Sequence, residues 1–230
     1  MCSCIYYNHQ PFPKRKVSVT EFKNNTFKKM KLFNIVSWLS SYIDQLHSKL
    51  HTSLLRMGGA KIGKESVVYA KSHISNLCHN HSGCIEIGRK CMIGRKAKGY
   101  HAGMPFYTTL LVDGNNGRIH IGDNCRINGA YIHAKDIITI GDNCVIASGV
   151  QIIDSNGHKV HSLNRTIGRD EPKPINIGNN VWVGLNAIIL KGTSIGNNSV
   201  VAAGSVVKGS FPSNTLIQGN PAQVARTIET

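Results

Sequence analysis

An aliphatic residue recurs at every sixth position towards the C-terminus of this chain. An α-helix cannot use this period, because 3.6 residues per turn would spread the side chains around its whole circumference. A short strand followed by a tight turn can, since each hexapeptide then supplies one flat side and points its aliphatic residue into a shared core. Three sides close a triangular coil, and the coils stack at the strand spacing of about 4.8 Å. The unbroken series is Ile177, Val183, Ile189, Ile195, Val201 and Val207.

A second position of each repeat is small or β-branched, as a narrow corner of the coil requires. Cys91, Cys125 and Cys144 occupy this position in earlier repeats, so we expect their thiols to pack inside the coils. The Gly and Asn of the motifs IGDN and IGNN are expected in turns that need a positive φ. The small residues of the later repeats are Val181, Ala187, Thr193, Ser199 and Ser205.

The length and composition are those of an ordinary globular protein. The 230 residues can hold one good-sized domain with an appendage, and 41% of them are hydrophobic. The sequence contains no run of 18 or more apolar residues, so it predicts no membrane-spanning helix. The opening segment MCSCIYYNHQPFPKRK lacks the basic and apolar regions of a secretory signal. The sequence therefore predicts a cytoplasmic protein.

The chain carries a formal net charge of +15. Such an excess attracts polyanions, which include nucleic acids, anionic lipids, acidic polysaccharides and phosphorylated cofactors. The charge is spread along the chain: residues 1–57 hold nine basic and two acidic residues, and the rest holds 18 and 10. Nucleic-acid binding usually shows a dense basic stripe or a known motif, and the sequence has neither. We therefore expect no nucleic-acid partner.

The pattern divides the chain into three parts: an N-terminal arm and amphipathic helix (1–57), a β-helix (58–211) and a C-terminal cap (212–230). The helix is predicted over residues 27–57, after an arm of residues 1–26, and Gly58 and Gly59 end it. It can cap the solenoid or pack on a neighbouring subunit. Alternatively, its basic residues suit contact with the anionic inner face of a membrane. Its apolar stripe is Leu32, Val36, Leu39, Ile43, Leu46, Leu50 and Met57.

Two segments break the six-residue period. The first, Lys98–Arg118, is aromatic and is either an irregular coil or a surface loop beside a site. The second, Val150–Pro174, contains the motif DSNGH. Insertions at the corners of a solenoid often carry its function, so the second segment is the first place to look for a site.

An ordered set of motifs, DSNGH, PINIGNNVWVG, AAGSVV and GNPAQV, spans roughly residues 60–228. This set resembles the hexapeptide-repeat acyltransferases, and most closely the O-acetyltransferases of capsular and exopolysaccharides and of polysialic acid. The resemblance implies a left-handed parallel β-helix, although parallel crossovers are almost always right-handed. It also implies acetyl-CoA as the donor, no metal, and a homotrimer in which donor and acceptor meet between neighbouring chains.

The resemblance assigns His158, in DSNGH, as the catalytic base. A neutral imidazole can take the proton from a sugar hydroxyl as it attacks a thioester. His161 is near enough to compete but lies off the motif. Trp182 follows 24 residues after His158, and its indole N–H can donate to the oxyanion or to the thioester carbonyl. Simple packing of Trp182 is the alternative.

The resemblance also implies binding residues for both substrates. Two departures weaken the phosphate contacts, because Gly209 and Gln223 stand where many relatives carry basic residues. Asp154 is assigned to the acceptor site. Alternatively, it orients the loop or the imidazole, or simply caps its own turn as an Asx residue. The implied contacts are Gly184, Ala202 and Ala203 for pantetheine, Lys208 and Arg226 for phosphate, and Asn128 and Asp154 for the acceptor.

The sequence thus predicts an acetyl-CoA-dependent O-acetyltransferase that modifies a saccharide hydroxyl, with a surface polysaccharide or its precursor as substrate. Small acceptors such as antibiotics, amino sugars or serine remain open. A zinc protein like the γ-carbonic anhydrases would need His133, His158 and His161 to converge, and their spacing does not fit. The crowded cluster Cys78–Cys84 is also unlike a structural zinc site. A non-catalytic scaffold is the third alternative.

Overall fold

The computed structural model describes residues 19–77, 84–94, 102–114, 116–161 and 163–229, with side chains from residue 35 onward. It contains one long helix followed by short strands. These are α1 (Val19–Met57), β1 (Lys61–Ile62), β2 (Val67–Val68), β3 (His73–Asn76), β4 (Ile85–Ile87), β5 (Met92–Ile93), β6 (Thr109–Val112), β7 (Arg118–Ile121), β8 (Arg126–Ile127), β9 (Tyr131–Ala134), β10 (Ile137–Ile140), β11 (Val145–Ile146), β12 (Gln151–Ile153), β13 (Ile175–Ile177), β14 (Trp182–Val183), β15 (Ile188–Leu190), β16 (Ser194–Ile195), β17 (Val200–Val201), β18 (Val206–Val207), β19 (Ser210–Phe211), β20 (Thr215–Gly219) and β21 (Ala222–Thr227).

The strands form three sheets that run along the length of a solenoid. Sheet A has the order β1-β4-β7-β10-β13-β16-β19, sheet B has β2-β5-β8-β11-β14-β17-β20-β21, and sheet C has β18-β15-β12-β9-β6-β3. Successive strands therefore fall on sheets A, B and C in turn, and three strands make one coil. Neighbouring coils pair in parallel, as in Ile146 opposite Val183. The predicted all-β solenoid behind an N-terminal helix is confirmed.

The core is built from the aliphatic residues that the period picked out. Each of the six predicted residues from Ile177 to Val207 is almost fully buried. The small residues of the second position are buried as well, and so are the three cysteines. Each thiol donates to a glycine carbonyl of the next coil, as Cys125 does to Gly141 at 3.0 Å. The prediction of inward-packed thiols is confirmed.

In the turns of the IGDN and IGNN motifs, Asn and Gly are required for different reasons. The last asparagine of each motif has a positive φ, for example Asn143 at 58° and Asn180 at 53°. The preceding glycines do not, so the prediction was wrong for them. A Cβ on Gly122 would lie 2.7 Å from the carbonyl carbon of Gly141 in the next coil. Glycine is required there because the coils approach so closely.

The first interruption of the period, Lys98–Arg118, contributes a regular strand to the solenoid. Within it, β6 pairs with β3 on one side and with β9 on the other. Leu110 and Val112 of β6 are fully buried. Residues 109–112 are therefore part of a coil, while residues 95–101 lie outside the described part of the chain.

The chain divides into two compact units, Met1–Ile43 and Asp44–Thr230. In the first, α1 begins at Val19, so residues 19–26 are helical and not part of an arm as predicted. The rings of Trp38 and Tyr42 stack at 5.7 Å and are exposed. Among the residues that the structure describes, no helix combines the length and apolar content needed to cross a bilayer.

In the second unit, the C-terminal end of α1 packs on the first coil. Thr52 is buried and its hydroxyl accepts the backbone N–H of Val68 at 2.9 Å. Arg56 donates to the carbonyl of Gly63. At the other end of the solenoid, β20 and β21 form an antiparallel hairpin. The helix end and the hairpin thus lie at opposite ends of the stack.

Candidate active site

The second interruption is an excursion of residues 154–174 that leaves the solenoid at the corner between sheets C and A. The stack continues across it without a shift, because Ile138 of β10 pairs directly with Ile175 of β13. The excursion is pinned at its base, where the backbone N–H of Lys173 donates to the carbonyl of Asp154. His158 lies on this segment with its side chain exposed. The site residue with the clearest chemistry is therefore presented outside the coils.

Asp154, at the start of the excursion, is fully buried. Its carboxylate accepts the backbone N–H groups of Lys135 and Asp136 at 2.8–3.0 Å, which closes the corner of the preceding coil. Burial raises the pKa of Asp154. A carboxylate so enclosed cannot reach a substrate, so we assign it a structural role in place of the acceptor contact that the sequence suggested. Asp154 therefore caps a turn of the preceding coil, and not its own turn.

A second acid, Asp170, holds the segment that precedes His158. Its carboxylate accepts hydrogen bonds from the Ser155 hydroxyl at 2.6 Å and from the backbone N–H groups of Asn156 at 2.7 Å and Gly157 at 3.0 Å. Lys191 Nζ donates to the same carboxylate at 2.6 Å. The side chain of Asp170 is only 6% exposed and that of Lys191 is 16% exposed.

The charge of Asp170 is well compensated. Burial alone would raise the pKa of its carboxyl, but hydrogen bonds from Lys191, Ser155 and the Asn156 backbone outweigh burial and hold that pKa well below its usual range. Sequence reasoning missed this residue and Lys191. No motif marks either of them, and Lys191 becomes a neighbour only because β15 stacks on β12.

Two edges of sheet C carry most of the predicted site residues. At the corner between sheets B and C, Gly184 and Ala203 come together, because a Cβ on Gly184 would lie 2.7 Å from the backbone N of Ala203. Ala202 is next to them, and its N–H donates to Ile217. Asn128 lies two coils earlier at the same kind of corner and is half-buried. These positions form one column along the solenoid.

The other column lies at the corner between sheets C and A. It contains the base of the His158 excursion, then Lys191 after β15, then the exposed Lys208 after β18. Two coils separate Lys208 from the start of the excursion, which corresponds to about 10 Å along the axis. Within one chain, the predicted base His158 and the predicted pantetheine residues thus lie on opposite edges of sheet C.

Trp182 and Arg226 face outward from sheet B. Trp182 is 55% exposed, and its strand neighbours are Val145 and Val200. Arg226 is exposed on the last strand and pairs with Leu216. Neither residue shares a corner with His158, so the single chain does not assemble the complete set of predicted catalytic groups.

His161, the competing base, is exposed on the same excursion. It lines an open cavity of about 310 Å³ together with Lys159, Arg169, Asp170 and Lys191. Side chains of both charges line the cavity, and two of them, Lys191 and Asp170, are already paired with each other.

The histidines of the alternative zinc hypothesis do not converge with other ligands. His133, on β9, places Nε2 3.0 Å from Asp113 Oδ1, and the ring packs against Tyr131. Over the described ranges, no three His, Cys, Asp or Glu side chains are grouped so as to hold a metal ion. Cys78, His79 and His81 lie outside the described residues.

Comparison with known proteins identifies the repeat. The family described as "Hexapeptide repeat of succinyl-transferase" matches residues 118–153 and 174–208, on either side of the excursion. Galactoside O-acetyltransferase of Escherichia coli K12 is 43% identical over 111 residues, covering 48% of this chain and 54% of that protein. The putative lipopolysaccharide biosynthesis O-acetyl transferase of the same organism is 42% identical over 120 residues, covering 48% and 61%. The chain thus spans between half and two thirds of the length of these two relatives.

Solved structures share the fold. A hexapeptide-repeat-containing acetyltransferase of Vibrio cholerae O1 biovar eltor, complexed with acetyl coenzyme A, matches with a TM-score of 0.54 at 26% identity, over 79% of this chain and 78% of that chain. The repeat, the stacked parallel strands and these relatives agree with one another. This chain carries the hexapeptide repeat of the acyltransferases and is similar to the acetyltransferases named above, and its solenoid is a left-handed parallel β-helix.

Proposed function

We propose that this protein is an acetyl-CoA-dependent O-acetyltransferase that acts on a hydroxyl of a saccharide, and that a surface polysaccharide or its precursor is the acceptor. The observation that carries the proposal is the exposed imidazole of His158, held outside the coils of a chain that resembles a galactoside O-acetyltransferase. The relative named for lipopolysaccharide biosynthesis supports the polymeric acceptor. The charge of +15 also suits an acidic saccharide.

The chemistry needs one base and one site of charge stabilisation. The neutral imidazole of His158 takes the hydroxyl proton while the oxygen attacks the carbonyl carbon of the thioester. The tetrahedral intermediate carries its negative charge on the former carbonyl oxygen, where an N–H donor stabilises it. Collapse of the intermediate breaks the carbon–sulfur bond, and the imidazolium returns the proton to the departing thiolate. The products are the acetyl ester and coenzyme A.

The donor side can be tested without knowledge of the acceptor. Calorimetric titration with acetyl-CoA should show saturable binding near one molecule per chain. Lys208→Met and Arg226→Met should each weaken binding by about tenfold, because each removes a charged partner of a phosphate. Lys64→Met is the control, since Lys64 is equally exposed but belongs to the first coil. No binding at millimolar acetyl-CoA would contradict the proposal.

The acceptor side needs a panel of β-galactoside, amino sugar, serine, and neutral and acidic polysaccharides, with release of free thiol as the readout. His158→Ala should abolish the transfer that the wild-type protein shows. His161→Ala is the matched control, because His161 is a second exposed histidine of the same excursion. Loss of transfer in His161→Ala with retention in His158→Ala would exchange the two roles.

The position of the predicted residues on two edges of sheet C supports a site completed between copies, and we propose a homotrimer. In such an assembly, His158 of one copy meets Trp182 and the pantetheine-binding corner of another. Sedimentation velocity should give a trimer. Co-expression of His158→Ala with Trp182→Phe should restore transfer in hybrid trimers. Each variant alone should remain impaired, and an inactive hybrid would place both residues in one chain.

The helix α1 supports a proposal about location. Several apolar side chains of its part within the first compact unit are exposed, including Val36, Leu39 and Ile43. We propose that the protein acts in the cytoplasm and that α1 contacts the inner face of the membrane. Vesicles of anionic phospholipid should float the full chain but not a chain that lacks residues 1–43, the first compact unit. If the two proteins floated to the same extent, α1 would have only a packing role.

A further inference from the structure

We infer that Asp170 and Lys191 are positioning residues that fix His158 in its reactive place, an inference that rests on the proposed function. The observation is the convergence of four donors on one buried carboxylate. Asp170 accepts from the Ser155 hydroxyl, from the N–H groups of Asn156 and Gly157, and from Lys191. These three residues at 155–157 lead directly into His158.

The contacts connect the excursion to the rigid part of the molecule. Lys191 directly follows β15, whose Leu190 pairs with Ile153 of β12 in the strand stack. Its Nζ also donates to the carbonyl of Glu171 at 2.8 Å, so it holds both the side chain of Asp170 and the backbone beside it. The path therefore runs from a coil, through Lys191 and Asp170, to the turn before His158.

The turn itself has a shape that needs such support. Gly157 has a φ of +78°, and a Cβ there would meet nothing within 4 Å. The space around it is open, so packing does not hold this residue in the left-handed region. Its N–H is bound twice instead, by Asp170 and by the Ser155 hydroxyl, each at 3.0 Å. Hydrogen bonds to Asp170 thus hold the turn at Gly157, where packing does not.

The chemistry explains why an ionised acid suits this place. A carboxylate offers only acceptors, and here two oxygens serve four donors. An amide of the same shape would turn one oxygen into an NH₂ group and set donor against donor. Asp170→Asn should therefore release the turn while leaving the coils intact. The cost to transfer is expected to be large, because a displacement of about 1 Å at a reacting group can lower the rate by about a hundredfold.

Two readouts test the inference on the full chain. Hydrogen exchange at the amides of Asn156 and Gly157 should accelerate at least tenfold in Asp170→Asn and in Lys191→Met, with an unchanged melting temperature. In transfer from acetyl-CoA to a β-galactoside, kcat should fall by about 10-fold to 100-fold while the Kd for acetyl-CoA stays the same. Lys191→Arg should restore most of kcat, because it keeps the charge.

The matched control is Asp142→Asn. Asp142 also accepts a backbone N–H through Oδ1, but on a coil turn. The double variant Asp170→Asn/Lys191→Met should be no slower than the slower single variant, since both act through one contact. Wild-type exchange and kcat in Asp170→Asn would overturn the inference. Absence of acetyl-CoA binding in the wild-type protein would instead overturn the proposed function, whatever the exchange rates.

Discussion

The backbone N–H of Asp123 donates to Oδ1 of Asp142, 2.7 Å away in the next coil. The same relationship recurs along the stack, where Asp142 donates to Asn179 and Asn179 donates to Asn197, each at 2.8 Å. One side-chain oxygen therefore closes each turn of sheet A onto its neighbour. Both Asp and Asn serve in this series because the contact uses an oxygen that both possess.

The Asp142 contact predicts a difference between two substitutions. Asp142→Ala should lower the free energy of unfolding by about 1 kcal/mol, because the N–H of Asp123 loses its partner. Asp142→Asn should leave that free energy nearly unchanged, since the oxygen remains. Urea unfolding followed by circular dichroism measures both. Equal stability of the Ala variant and the wild type would show that water replaces the contact at no cost.

The inward thiols predict protection from alkylation. Cys91, Cys125 and Cys144 are fully buried, and the neighbouring thiols of Cys144 and Cys91, together with burial, raise the pKa of Cys125. In the native protein they should react with iodoacetamide only as fast as the solenoid opens, and in urea they should react at once. Peptide mapping by mass spectrometry identifies each site. Rapid native labelling of Cys125 would contradict its place in the core.

Asp154 predicts a pH dependence of stability with a definite sign. Its folded pKa is raised above 3.8, so the folded chain holds the proton more tightly than the unfolded chain does. Its contribution to stability is therefore complete below pH 3.8 and is lost as the pH rises through the folded pKa. Asp154→Asn removes this titration. The free energy of unfolding of the wild type minus that of the variant should fall between pH 3.8 and neutrality, as measured by urea unfolding, and a constant or rising difference would contradict the direction.

Trp182 predicts a kinetic effect of its indole N–H. Trp182→Phe keeps an aromatic ring on sheet B and removes the donor, so kcat for transfer should fall by about a hundredfold with little change in the Kd for acetyl-CoA. Val145→Ala is the control, because Val145 is the paired neighbour and is also exposed. Unchanged turnover in the Phe variant would reduce Trp182 to a packing residue.

The core of the fold could be predicted from the sequence because the six-residue period acts directly on burial. An aliphatic side chain that recurs every six residues falls on the inner face of a short strand, and the structure buries each of these side chains. The glycines were harder, because their need for space comes from the next coil. Gly122 is required by Gly141, 19 residues away, and a turn motif read by itself points to φ instead.

The site could be predicted only where one short motif contains it. His158 lies beside the residues that mark it, whereas the partners of its turn are distant in sequence. Asp170 follows Ser155 by 15 residues and Lys191 lies in another coil, so only the folded chain brings them together. Asp154 shows the opposite error: its nearness to His158 suggested a substrate contact, while its side chain points into the stack.

Because Ile138 pairs directly with Ile175, the pairing of the strands does not depend on how many residues lie between β12 and β13. The entropic cost of closing a loop grows only slowly with its length, so this segment can be lengthened, shortened or exchanged with little effect on the coils. The length and sequence of the loop that carries His158 can therefore change without disturbing the later coils, as long as Asp170 still meets Lys191. Under the proposed function, one solenoid can in this way accept different acceptors while it keeps the same donor-binding residues.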